Sequence, residues 1–284
     1  MSKTPSPVFT KQSITSTLRD ILKKLDTLYR ESESLRQSFL KQIETHQIPH
    51  TDNIRHPDLW IVYPFFTTLL GKLYPDKDIS ILDWGGLYGH VTALLNKMGY
   101  TASNYLLNLP ENYEIFQSAF QLATIFGKDP NRLSLPDTSC DVVISSGVLE
   151  HVRDDRLGDE NLILKEIARV LKPGGTFWIW YLPSRYSLSE ALSRLTERWC
   201  HTYLFDKYQI TSLLQQNGFQ VLFLARHGFL PGTLKRGVLH FCSLSSLFRL
   251  DMALANFPGL RTLGANFFVI ARKPSPETGI PPAS

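Results

Sequence analysis

Residues 81–95 read ILDWGGLYGHVTALL, and the fold follows from this stretch. A short apolar run ends on Asp83, a turn containing Gly85, Gly86 and Gly89 follows, and helically spaced apolar residues take over from about Tyr88. A strand that breaks into a glycine turn and then a helix opens a parallel strand–helix unit. Glycine is needed where backbone approaches a ligand closely or adopts positive φ. The carboxyl ends of strands in an open α/β sheet form the ligand crevice. The turn therefore implies a nucleotide-like ligand. It departs from G-x-G-x-x-G, because Leu87 stands at the second glycine and His90 at the third. That disfavours a pyrophosphate cofactor such as NAD. Taken alone, D-x-G-G-x-x-G equally describes a tight structural turn.

On either side of this stretch, short apolar runs alternate with helical patterns: ISILD, TASNYLL, DVVIS, TFWIWYL, FQVLFLA and finally ANFFVIARK. Helices are predicted to about Met98, near Glu111 to Gln121, up to Leu171, and near Lys207 to Asn217. Parallel neighbours need crossover helices, so the alternation predicts a parallel, doubly wound α/β sheet. About 40 residues with no single crossover helix precede ANFFVIARK, which predicts an antiparallel return for the last strand. Within them, residues 232–262 read as a helical insertion. Upstream, Leu18, Ile21, Leu25, Leu28, Leu35, Phe39 and Ile43 predict one long amphipathic helix. The segment HQIPHTDNIRHPD breaks it, and a second helix, Leu59 to Leu73, ends at Pro75 and Asp76. Residues 1–77 thus read as an amino-terminal helical lid, 78–273 as the α/β domain, and the proline-containing 274–284 as a disordered tail.

The chain has 284 residues, 43% hydrophobic and 20% charged, which are ordinary globular values. A formal net charge of +4 without a basic stripe argues against a nucleic-acid partner. Cys140, Cys200 and Cys242 are widely spaced and odd in number, so they signal neither a disulfide framework nor a zinc site. No run of about 20 apolar residues and no apolar signal core is seen, which predicts a cytoplasmic protein. The amphipathic helix and the insertion carry Lys and Arg beside apolar residues, which leaves peripheral membrane contact open.

The run DPNRLSLPDTSCDVVISSGVLEHV, residues 129–152, and LKEIARVLKPGGTFWIW, residues 164–180, add a second pattern. Together with the turn and the closing NFFVIARK, they resemble the small-molecule class I methyltransferases that depend on S-adenosyl-L-methionine, including those of ubiquinone and menaquinone biosynthesis. The resemblance covers about Ile79 to Lys273, with ISSGVLEHV and RVLKPGG its most specific parts, and implies a Rossmann-like, mostly parallel sheet of seven strands with the last antiparallel. It implies that Asp83 anchors the cofactor's methionine end, with Gly85, Gly86 and Gly89 giving it room and Ser146 beside it. Asp129 would accept a bond from the adenine amino group, with Asn131 and Arg132 adjacent. The family's ribose-binding carboxylate is matched best by Asn108, which is neutral and makes a weaker bond.

The resemblance implies methyl transfer to a small or lipid-linked acceptor. For a hydroxyl acceptor a base must remove the proton, and His151 in LEHV is the candidate. Equally, Glu150 and His151 could only cap the following loop. In ubiquinone-type enzymes a glutamate three positions before that of L-E-H helps hold a metal. Gly147 stands there, so no metal is expected. Tyr181, Arg185, His201 and Tyr203, after the fifth strand, are the substrate candidates, since loops after strands build the pocket. A base-modifying nucleic-acid enzyme would carry D/N-P-P-Y/F where SSGV stands. A non-catalytic module would account for Leu87 and Asn108. Spacing gives neither the acceptor nor the oligomeric state.

Overall fold

The computed structural model describes residues 9–153, 158–195 and 201–275. The tail expected to be disordered lies, from residue 276 on, outside the described residues.

Seven strands form one sheet in the order β3-β2-β1-β4-β5-β7-β6. They are β1 (Ser80–Trp84), β2 (Thr101–Leu106), β3 (Ala123–Phe126), β4 (Cys140–Ser146), β5 (Leu171–Pro183), β6 (Gln220–His227) and β7 (Asn266–Arg272). Strands β1 to β5 pair in parallel. β7 runs antiparallel to both β5 and β6, the return predicted from the long insertion. Chain order reverses between β1 and β4, so the carboxyl ends of β1, β2 and β4 frame the crevice of a doubly wound sheet.

Both faces of the sheet are buried, and strand periodicity assigns each side chain to one of them. Ile81, Val142, Trp178 and Ile270 enter one apolar cluster. Their neighbours Leu82, Val143, Phe177 and Val269 enter the other. The first cluster is completed by the amino-terminal helices α1 (Lys11–Lys23), α2 (Leu25–Thr45), α3 (Asp52–Arg55), α4 (Pro57–Trp60) and α5 (Val62–Leu73). α6 (His90–Lys97) and α7 (Tyr113–Phe120) join them. Phe66 of α5 stacks on Trp180 of β5 at 5.4 Å, so these helices form a full layer of the fold. The second cluster is covered by α8 (Glu160–Val170) and α10 (Lys207–Gln216). Between those two lies α9 (Leu188–Leu195), which has no buried residue.

The insertion holds α11 (Gly232–Arg236) and α12 (Leu244–Asn256). Phe248 and Met252 of α12 enter the first cluster, on the side of the amino-terminal helices. Arg236 pairs with Asp58 at 3.3 Å and Lys235 with the buried Asp251 at 3.2 Å.

Two expectations are corrected. The long amino-terminal helix is two helices, broken at Lys24 (φ −100°, ψ 14°). The break leaves the Leu22 carbonyl in the last turn of α1 accessible, and Arg249 of α12 donates to it at 2.8 Å while holding Asp26 at 2.8 Å. A long-range partner thus compensates a break that periodicity does not register. Second, β3, with the sequence ATIF, was absent from the apolar runs; it is a four-residue edge strand with no fully buried residue.

Candidate active site

The turn after β1 is built around a buried carboxylate. Asp83 is fully buried, and its Oδ2 accepts from the Thr92 backbone N–H at 3.2 Å and the Thr92 hydroxyl at 2.9 Å. Its Oδ1 has no partner, and burial pushes the carboxyl up to about 7. Gly85 (φ +73°) and Gly89 (φ +75°) take left-handed conformations, and so does Leu87 (φ +48°). The last explains why glycine usually stands at that position. From β2, Asn104 donates to the Leu87 carbonyl at 3.2 Å and to the Tyr113 hydroxyl at 2.9 Å, pinning the turn. A Cβ on Gly86 would lie 2.3 Å from Asp83 Oδ2 and 2.4 Å from Asn104 Oδ1. Gly86 is therefore what lets those two buried groups sit under the turn.

Two cavities meet over Gly85. One, of about 250 Å³, is floored by Gly85, Gly86 and Leu87 and walled by His90, Ser146, Gly147 and Tyr181. Asn53 and Tyr63 of the amino-terminal segment also line it. The other, of about 290 Å³, is lined by Tyr105, Leu107, Asn108, Asp129, Val148 and His151, among others. Leu87 therefore flanks the crevice without filling it. A larger groove, about 1180 Å³, lies between α1, α2 and α5 and includes none of the strand ends.

The first cavity is closed by aromatic groups on constrained backbone. Tyr181 (φ +60°) donates its hydroxyl to the Leu59 carbonyl at 2.8 Å. Its backbone N–H donates to His227 Nε2 at 3.4 Å. Burial pushes His227 down to about 3, so the ring is neutral and able to accept. Tyr63 accepts from Asn53 at 3.1 Å and packs edge-on to His90 at 4.3 Å.

Residues 82–179 match the family profile of a methyltransferase domain. Residues 82–179 thus form a methyltransferase domain. A probable S-adenosylmethionine-dependent methyltransferase of Mycolicibacterium smegmatis is 36% identical over 89 residues, 31% of this chain and 32% of that protein. The chain thus matches about a third of the length of that curated relative. Among solved structures, a Bacillus halodurans protein assigned to the methyltransferases superposes with a TM-score of 0.51 at 14% identity, covering 74% of this chain and 99% of that one. A Galdieria sulphuraria protein assigned as a sarcosine dimethylglycine methyltransferase gives a TM-score of 0.50 at 19% identity, covering 76% and 85%. At these identities the structures show a shared fold.

The Mycolicibacterium relative is named for dependence on S-adenosylmethionine, and the crevice of this chain is compatible with such a ligand. The ligand is a nucleoside with an amino-acid arm, and the crevice is bipartite. Around its floor, Asp83 Oδ1 and Asn104 Oδ1 are buried polar atoms without partners. Unpaired groups of this kind are costly unless a ligand supplies the bond. Of the residues singled out in the sequence, Gly85, Gly86 and Ser146 line the first cavity, Asn108 and Asp129 the second, and Asp83 lies beneath the turn. Gly89 faces Leu122. Asn131 lines neither cavity: its side chain accepts from the Asp159 N–H at 2.7 Å, and its backbone N–H donates to Asp129 Oδ1 at 2.8 Å. It ties the Asp129 turn to the start of α8.

The substrate candidates separate. Tyr181 lines the first cavity. Arg185, 4.0 Å from Asp206, and Tyr203 line neither. His201 stands beside His151, with ring centroids 5.9 Å apart. Its Nδ1 lies 2.5 Å from Glu190 Oε1 of α9, an arrangement that fixes the imidazole. Glu150, His151 and His201 each bring an oxygen or nitrogen within 4.8 Å of the others, a grouping able to share a proton or hold a divalent ion. The sequence singles out Glu150 and His151 by local spacing and His201 separately as a substrate candidate, but misses Glu190, about 40 residues past His151. His90, Tyr63 and Asn53 were also missed, because only the docking of the amino-terminal helices brings them to the turn.

Proposed function

We propose that this chain transfers a methyl group from S-adenosyl-L-methionine to an oxygen of a small metabolite, a sugar, a quinone or a lipid-linked intermediate. What carries the reading is the pair of cavities meeting over Gly85, one over the glycine turn and one at Asp129 and Asn108. Asp129 would accept from the adenine amino group, Asn108 would bond the ribose hydroxyls, and Gly85, Gly86 and Gly89 would admit the methionine end above Asp83. When bound, the cofactor supplies an electrophilic sulfonium methyl.

The protein's task is then alignment, exclusion of water and removal of one proton. Tyr63 and Tyr181 shield the first cavity, and Asn53 joins them as part of an amino-terminal lid. His151 takes the acceptor's proton, with His201, held by Glu190, at its side. Tyr181 and His201 contact the acceptor, and Arg185 and Tyr203 serve at the rim. Isothermal titration with S-adenosylhomocysteine tests the cofactor reading: folded protein that gives no heat at submillimolar ligand ends it. Mass spectrometry of a metabolite extract incubated with methyl-labelled cofactor identifies the acceptor and separates a catalyst from a non-catalytic module.

Two further outcomes are expected. His151→Ala lowers kcat on the true acceptor by about 10²- to 10⁴-fold, with cofactor affinity unchanged, because the exposed His151 supports no core packing. Unchanged turnover removes the base assignment. Among the described residues, no helix is long and apolar enough to cross a membrane. A cytoplasmic location with peripheral lipid contact fits Val238 and Phe241, 69% and 75% exposed. Sedimentation with phosphatidylserine-containing vesicles, reduced in Phe241→Ser, is the expected result; failure of the unsubstituted protein to sediment removes the lipid contact.

A further inference from the structure

α9 is built inside out. Leu188, Leu192 and Leu195 recur at helical spacing and so share one side of the helix. A surface helix ordinarily turns that side to the core, but Leu192 is 43% and Leu195 81% exposed. The inward side is polar. Glu190, with 12% of its side chain exposed, holds His201 Nδ1 at 2.5 Å and accepts from the His201 backbone N–H at 3.3 Å. Arg194 donates to the His201 carbonyl at 3.0 Å. These bonds fix the roll of the helix, so Leu192 and Leu195 are held outward. Tyr186, 56% exposed, precedes them. Between residues 184 and 195 the only carboxylate is Glu190, which faces inward. Both cations, Arg185 and Arg194, are exposed, and Arg185 is only loosely paired, 4.0 Å from Asp206.

We infer that α9 docks the protein on an anionic bilayer, with its outward leucines among the acyl chains and Arg185 and Arg194 against the lipid phosphates. Charge complementarity selects that surface. An apolar stripe with exposed cations beside it and no outward carboxylate matches an interface of acyl chain and anionic headgroup. Tyr186 suits the same boundary, since its ring is apolar and its hydroxyl is not. Position selects it too. β5 and β6 both run antiparallel to β7, so they end at one edge of the sheet, together with β4. α9 leaves from β5 at that edge, where the crevice opens, and the segment carrying Val238 and Phe241 leaves from β6 there. Exposed apolar residues on two separate segments fit a fluid surface, which needs no matched shape. Through His201, α9 is tied to the surroundings of His151, 5.9 Å away between ring centroids. Docking thus brings the crevice mouth to the lipid surface and selects the lipid-linked acceptor among those proposed above. That last step rests on the methyl-transfer reading; the docking itself does not.

Vesicle sedimentation of the full chain tests the inference. The unsubstituted protein is expected to bind phosphatidylserine-containing vesicles, and Leu192→Ser combined with Leu195→Ser to weaken that binding by about 10- to 100-fold. Affinity for S-adenosylhomocysteine should stay within about twofold in the double variant, because α9 has no buried residue. In the unsubstituted protein, amide hydrogen exchange over residues 188–195 should slow when vesicles are added, a readout that needs no variant. Full vesicle binding by the double variant, with Phe241→Ser still impaired, leaves lipid contact to the segment after β6 and overturns the inference. Equal affinity for phosphatidylcholine vesicles removes the anionic surface and overturns it too. So does a dimer in solution that the double variant splits, which assigns the leucines to a second copy of the chain. If S-adenosylhomocysteine binds and vesicles do not, docking fails and the methyl-transfer reading stands. Leucine-dependent binding to vesicles without cofactor binding leaves the docking standing and removes only the acceptor.

Discussion

The Gly86→Ala protein is expected to lose about 1–3 kcal/mol of stability and about 100-fold or more in turnover. The cause is not conformational freedom, since the backbone at Gly86 avoids positive φ. It is space. The added methyl would stand 2.3 Å from Asp83 Oδ2 and 2.4 Å from Asn104 Oδ1, both buried and both tied to the turn through Thr92 or Leu87. Neither can swing into solvent, so the turn must rise or the two side chains must leave their partners. Either displacement moves the floor of the cofactor cavity, and a shift of about 1 Å in a positioning element can cost on the order of 100-fold in rate. Urea denaturation reports the first effect as a lower midpoint at unchanged slope. A midpoint within error of the parent, with full methyl transfer, would show that the turn has slack the packing denies.

Asp83→Asn is expected to reverse the usual sense of a substitution at a binding-site acid: the unliganded protein becomes more stable above neutral pH. Burial raises the Asp83 carboxyl to about 7, against an ordinary value of about 4. The folded state therefore holds a proton that the unfolded chain has released over this interval. Stability from that group is complete below about pH 4 and is lost as pH rises through about 7, by up to roughly 4 kcal/mol. Asparagine cannot ionise and still accepts from Thr92, so its stability curve should be flat where the parent falls. The two proteins should match near pH 4 and separate by pH 8, as read from chemical denaturation across that range. Parallel curves would mean that Asp83 is solvated through a route absent from the packing. The same variant should bind S-adenosylhomocysteine less tightly, because the negative partner for its ammonium is gone.

The sheet was legible because its central strands are sequence-local signals. ILD, DVVIS and TFWIWYL are continuous apolar runs, as strands buried on both faces must be, and the parallel sense followed from the helices between them. β3 was missed because ATIF is short and lies at an edge, where exposure removes the apolar contrast. The break at Lys24 was missed because Leu18, Ile21, Leu25 and Leu28 keep helical spacing across it, and what stabilises it, Arg249, is more than 200 residues away. The site divides in the same way. Asp83, the glycines and Asp129 sit at strand ends that the motifs mark. His90 with Tyr63, and His151 with His201 and Glu190, are juxtapositions that only tertiary packing makes. Asn131 carried the local pattern of a ligand contact and instead spends its side chain on Asp159.

The placement of β7 bears on how this polypeptide is made. Of the seven strands described, β7 is synthesised last and fills the slot between β5 and β6, pairing with both, and α12 just before it supplies a guanidinium to the end of α1. Until β7 has been synthesised, β5 keeps an unpaired edge. A nascent chain halted before residue 266 should therefore be prone to sticking through that bare edge. Assembly of the sheet becomes cooperative only when β7 arrives.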